Sequence, residues 1–308
     1  MSRRSLVQFA LVAAFWGASY LFIKVALQDV FSPPMIVFVR TALASVVLMP
    51  VALRSGRARE LRPLAGAIFL LAAMQVAAPF MLISYGEEHI HSSLAGILVA
   101  MAPVFTFLLT LVIGRDQQVR GVGFAGVAMG IGGVVLLLGL DTGGDTAALA
   151  GGLMVVAASL GYAVGAYYLR HALPGLPPIL IVAATMGASA LMAAPVAALD
   201  LPGAAPSLEA VGSLLALGVL GTGIAFVFFY DLIVTIGPAR ASLVAYVAPG
   251  FAVVYGVALL GEDFTAATLG GLVAILLGSF LAANERWPWQ RRPVPVPAAQ
   301  AAAVDAAS

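Results

Sequence analysis

Cysteine is absent from the sequence, which removes disulfides, thiolate nucleophiles and Cys-based metal sites at once. Charge is scarce as well. Asp, Glu, Lys and Arg make up 9% of the 308 residues, against about 25% in a soluble domain, so water is not the main solvent of the folded chain. One lysine, fourteen arginines and a net charge of +1 argue against nucleic acid as a partner. There is no GxxxxGK[ST] run, and the single lysine, Lys24, lies in an apolar segment, which excludes a P-loop-driven pump. Nothing in the chain calls for a cofactor.

What remains is hydrophobic: 62% of the residues. Arg3 and Arg4 precede an apolar run from Leu6 to Leu27. That run exceeds the roughly 7–15 residues of a signal-peptide core and has no small-residue cleavage site after it, so it reads as a first spanning helix. A span needs about 20 apolar residues. Ten segments meet that length approximately: 7–27, 34–53, 64–85, 93–113, 121–140, 150–169, 178–199, 209–230, 240–260 and 266–283. Pro, Gly or charge separates them, and the connections are too short for an inserted soluble domain. The fold class expected is an all-α polytopic membrane protein. Residues 287–308, rich in Pro and Ala, read as a disordered cytoplasmic tail.

Cationic residues orient the spans. With the N-terminus inside, thirteen arginines fall on inner segments and outer loops carry no Lys or Arg. Lys24 and Arg40 are the two cations within spans. This asymmetry predicts a multi-pass protein of a bacterial-type inner membrane with both termini cytoplasmic.

The two halves repeat at a shift of about 145 residues. Gly17 aligns with Gly161, Ala102-Pro103-Val104-Phe105 with Ala248-Pro249-Gly250-Phe251, and Gly126 with Gly133 matches Gly271 with Gly278. Residues 1–145 form one five-helix unit and 146–286 a second. An odd number of spans per unit makes the second enter the membrane from the opposite side. Such inverted repeats recur in secondary transporters, with the substrate near the midplane.

Specific residues carry a resemblance. Ala14-Phe15-Trp16-Gly17-Ala18-Ser19 followed by Lys24, then Pro34 to Arg40, and the proline-centred fourth helix before a glycine-rich fifth resemble the EamA family of the drug/metabolite transporter superfamily. The pattern recurs at Ala248-Pro249 and from Gly261-Glu262 to Gly278, so the resemblance spans roughly residues 8–283. It implies ten helices in inverted repeats and export of amino acids, aromatic ones among them, or of other metabolites. The first copy departs from the family with Arg115-Asp116, where members often show Gly-Glu, and no role is assigned to that acid.

Candidate substrate contacts follow from helical spacing. Trp16, Tyr20 and Lys24 recur every four residues and share one helix face, flanked by Ser19. Stacking, a phenol and a cation suit an organic anion or zwitterion; the alternative for the aromatics is interfacial anchoring. Arg40, like Lys24, is placed roughly 5–10 Å below the outer surface at 1.5 Å per residue. One or both are expected to face the outer cavity mouth with Glu87, Glu88 or Asp29 as resting partners; snorkelling is the alternative. Gln75 is the amide inside the third span, and Tyr162 and Tyr246 are further cavity candidates. Pro79, Pro103 and Pro249 each remove a helix hydrogen bond and are candidate hinges. Glu87, Glu88, His89 and His91 read as a solvated outer loop rather than a metal site. With no acid placed deep in a span, facilitated diffusion or a non-carboxylate coupling route is favoured. The partners expected are a small-molecule substrate and lipid, with the chain a monomer or weak homodimer. An integral membrane enzyme acting on a small or lipid substrate is the rival class.

Overall fold

Apolar side chains at nearly every helical position leave the helices two environments: one another, or lipid. The computed structural model describes residues 1–113, 121–140, 145–173 and 175–284. Asp116 and the 287–308 tail lie outside these residues. The described elements are α1 (Arg3–Leu27), α2 (Pro33–Leu53), α3 (Ala58–Glu87), α4 (Ser92–Ile113), α5 (Gly121–Leu140), α6 (Thr146–Ala172), α7 (Pro178–Leu199), α8 (Leu208–Ile236), α9 (Val244–Leu260) and α10 (Ala266–Asn284). Among the described residues, nine of these are long and apolar enough to cross a membrane, while α9 is shorter, at 17 residues. Val112, Leu199, Leu208 and Val234 project outward and are more than four-fifths exposed. A surface so apolar suits acyl chains, not water.

Glycine makes the tightest crossings possible. A Cβ on Gly17 would fall 2.5 Å from the Phe251 Cβ and 2.7 Å from the Ala248 carbonyl oxygen, which seats α1 directly on α9. In the α5–α10 pair, a Cβ on Gly126 would meet the Gly278 carbonyl at 2.6 Å, and one on Gly278 the Gly126 carbonyl at 2.6 Å. Small residues allow backbones this close where lipid gives helices no hydrophobic reason to associate.

The packing respects the sequence repeat. α1 packs on α8 and α9, as α6 packs on α3 and α4; α2 packs on α7, and α5 on α10. Exchanging the halves maps this set of contacts onto itself.

Three helices are irregular inside the bundle. α3 and α8 each contain a π turn, at Ala73–Ala77 and Val219–Ile224, at matching places in the two halves. Ser189 of α7 donates to the Ala72 carbonyl at 3.3 Å, beside the first. Thr222 donates to the Leu217 carbonyl at 2.9 Å, within the second. α4 breaks at Ala100–Met101, just ahead of Pro103. Ser159 of α6 and Ser279 of α10 donate to the Leu98 and Ala100 carbonyls at 3.1 and 2.5 Å. Irregular backbone at membrane depth is tolerated where side chains satisfy it in this way. Pro249 sits inside an unbroken α9, and Pro79 lies two residues after the first π turn, against Gly161.

Candidate functional site

Between α1, α2, α3, α6 and α8 the bundle holds polar groups that lipid would reject. Arg40 of α2 is 7% exposed, so it does not snorkel. Its guanidinium carbon stands 3.8 Å over the Phe80 ring of α3, and its Nε donates to Thr222 Oγ1 in the α8 π turn at 2.9 Å. The terminal guanidinium nitrogens have no acceptor among the described residues. Stacking and a single bond fix the plane of the group while leaving most of its donors available.

Tyr20 of α1 and Tyr162 of α6 stand close enough to interact electrostatically with each other and with Arg40. Tyr20 rests against Gly96 of α4, where a larger residue would displace the ring. Gly96 thus makes room for the Tyr20 ring.

Lys24 is used differently from expectation. Its Nζ donates to the backbone carbonyls of Glu87 and Ile90 at 2.6 and 3.0 Å, not to a carboxylate. It caps the C-terminal end of α3, where free carbonyls and the helix dipole favour a cation. Asp29 accepts from the amides of Val30 and Ser207 instead, and Glu88 is exposed. The expected resting partners are therefore corrected: Lys24 takes main-chain oxygens and Arg40 takes Thr222.

Glu87 is a second correction. It ends α3 rather than lying in a solvated loop, and it is 0% exposed. Neither carboxyl oxygen has a hydrogen-bond partner among the described residues. Lys24, Glu262 and Arg40 lie within electrostatic reach of it. The neighbouring Glu88, His89 and His91 are exposed, as the loop reading has them.

Glu262, between α9 and α10, reaches across to the other half. Its two oxygens accept from the Ser92 and Ser93 amides at 2.7 and 2.9 Å. It caps the N-terminus of α4, where free amides suit an anion. Partial burial works to raise its pKa, but the bonds from Ser93 and Ser92 outweigh that and hold it below the usual carboxylate value. At the other end of α1, Gln8 and Arg4 donate to Asp231 of α8 at 2.8 and 3.1 Å, beside a cleft of about 410 Å³ lined by Ser5, Gln8, Thr235 and Arg240. Each end of α1 is thus tied to a helix by polar bonds.

The remaining candidates have other neighbours. Trp16 packs on Phe226 and Phe229 of α8, with centroids 5.8 and 4.9 Å away. Ser19 is buried, donates to the Phe15 carbonyl and faces Gly221. Gln75 lies in the α3 π turn with its Cβ against Gly165 of α6. Tyr246 turns toward α10, its hydroxyl donating to the Ser279 carbonyl at 3.4 Å. Sequence reasoning missed Thr222 and Phe80, which hold Arg40. The signal available for Thr222 was its position 147 residues after Gln75, which places the two in matching π turns.

Comparison with known proteins agrees with this architecture. The EamA-like transporter family matches twice, over residues 4–139 and 149–284. YedA of Escherichia coli (strain K12), named as an uncharacterized inner membrane transporter, is 27% identical over 289 residues and 92% of each chain. A protein of Streptantibioticus cattleyicolor named as a probable terminal-alkyne amino-acid exporter is 26% identical over 92% of this chain and 94% of its own. One crystal structure superposes with a TM-score of 0.64 at 19% identity, covering 92% of this chain and 97% of that one, which shows a shared fold. With two copies of the family domain accounting for nearly all of the described helices, the chain belongs to the EamA-like transporter family and is a multi-pass membrane transporter.

Proposed function

We propose that the protein is a secondary transporter that exports small carboxylate-bearing metabolites, amino acids foremost, across a bacterial-type inner membrane. The reading takes residues 1–145 and 146–286 as oppositely inserted five-helix units, with all ten helices spanning and both termini cytoplasmic. Substrate sits between them, and access alternates between the two faces.

One observation carries it: a buried arginine whose terminal nitrogens lack a protein acceptor among the described residues. A buried cation is costly unless something compensates it, and a planar guanidinium matches a carboxylate in a bidentate grip. Tyr20 and Tyr162 supply hydroxyls and ring faces for the rest of the substrate. Lys24, its ammonium bonded to the carbonyls at the end of α3, adds positive potential without contacting the substrate. The polar ties at the two ends of α1 are suited to open one at a time. Export and the amino-acid class lean on the family and on the named amino-acid exporter among its relatives.

The test is a flux screen with purified protein in liposomes. Labelled amino acids, loaded singly, are expected to leave faster than from protein-free vesicles, chemically unchanged. Recovery of converted product would favour the enzyme class instead, and no flux with any amino acid would overturn the substrate reading.

A further inference from the structure

Substrate capture by Arg40 leaves the buried Glu87 carboxyl without a use. It lies at the end of α3 with no exposure, and neither oxygen accepts a hydrogen bond among the described residues. Its nearest cation, Lys24, spends its ammonium on the Glu87 main-chain carbonyl and that of Ile90. A carboxyl so placed is stable as the neutral acid and unstable as an anion until a cation arrives. The groups facing it from packed elements are Tyr20 and Lys24 on α1, Arg40 on α2 and Glu262 before α10. On its own turn, Tyr85 and Glu88 point outward.

We propose that Glu87 is an exchange site, holding a proton when no substrate is bound and releasing it to water as the ammonium group of a zwitterionic substrate, whose carboxylate is on Arg40, pairs with the Glu87 carboxylate. This rests on the transport reading above and adds the coupling to it. Arg40 and Glu87 are of opposite character and within electrostatic reach across the same cluster. A zwitterion presents the complementary pair. Its ammonium and a proton compete for one carboxylate, so each substrate bound displaces a proton. Competition of this kind produces antiport: a proton enters on Glu87 as an amino acid leaves. The Glu262 cap on α4 and the Lys24 cap on α3 lie within electrostatic reach of Glu87, which has no exposure in this structure. Carboxylate coupling thereby replaces the non-carboxylate route that the sequence favoured.

The experiment measures proton release on substrate addition. Purified protein in weakly buffered detergent receives phenylalanine, chosen for its aromatic ring, while a pH indicator is followed; binding is recorded separately by calorimetry. Wild type is expected to release a proton per phenylalanine bound. Glu87→Gln is expected to release none and to bind roughly thirtyfold more weakly or worse, the lower figure for truncating one partner of a buried charge pair. A second measurement needs no variant. A hydrophobic carbodiimide, which attacks protonated carboxyls, should modify Glu87 in the wild type, and phenylalanine should protect it, as read by peptide mass spectrometry. Phenylalanine binding without proton release, or carbodiimide labelling that never reaches Glu87, overturns the exchange site and leaves the transport reading intact. Absence of binding and flux for every amino acid removes the transport reading itself.

Discussion

Arg40 carries the account at the residue scale, and its environment predicts how substitutions behave. Arg40→Lys keeps the charge but loses the flat stacking on Phe80 and the fork of donors, so it should not restore transport. Thr222→Val removes the acceptor for Nε and should lower thermal stability by about 1 kcal/mol while leaving flux measurable. Lys24→Met is expected to destabilise the protein by about 2 kcal/mol, because two carbonyls at the end of α3 lose a charged donor. A melting curve in detergent reads that loss apart from flux. An unchanged melting temperature would return Lys24 to a binding role alone.

Glu262 adds a prediction in pH. Its folded pKa is held down, burial opposing and the Ser93 and Ser92 bonds prevailing. The stability it contributes is therefore present above the unfolded carboxylate value, about 4.3, and is lost as pH falls through the lower folded value. Glu262→Gln should melt lower than wild type at neutral pH, and the gap should close in acid below about pH 4. A gap that persists there would deny the carboxylate its role as a cap.

At the scale of elements, the sequence was informative about where helices lie and poor about what they do inside. Runs of apolar residues located the described helices with ends that differ by up to six residues, because lipid demands continuous hydrophobicity. The exceptions are instructive. Glu87 stood at the start of a polar run, Glu87-Glu88-His89, and so read as solvated; folding tucks it under Lys24 and leaves its neighbours outside. The π turns left no trace in hydropathy, since an added residue per turn changes register and not composition. Arg40 and Lys24 looked alike by depth, yet one is stacked among aromatics and the other caps a helix, a difference of facing that depth does not encode. The π turns also make a prediction. Deleting Met74 or Leu220 would restore regular helix and rotate the following segment, moving Phe80 or the rest of α8 relative to Arg40. Flux should fall sharply although the protein still inserts. At the α5–α10 crossing, Gly278→Val should cost about 1–3 kcal/mol through overpacking against the Gly126 backbone, read as a lower melting temperature.

For the whole molecule, duplication explains why one fold has two sets of ties. Contacts exchange between halves, while the polar residues at the ends of α1 do not: Lys24 and Glu87 at one end, Gln8, Arg4 and Asp231 at the other. A symmetric scaffold with asymmetric latches suits alternation between faces. The orientation proposed for it can be examined in intact cells, because the chain has no native cysteine. Single cysteines at Glu88 and Ala205 should react with an impermeant maleimide from outside, and one at Arg57 should not. Reaction at position 57 would contradict the arrangement with both termini inside. The central claim, that a buried guanidinium receives the carboxylate of a transported solute, is tested most directly by counterflow of labelled phenylalanine in liposomes. Wild type and Arg40→Met are compared at equal amounts of inserted, monodisperse protein across a range of substrate concentrations. The account predicts exchange by the wild type and little by the variant at any concentration; equal rates throughout would contradict it.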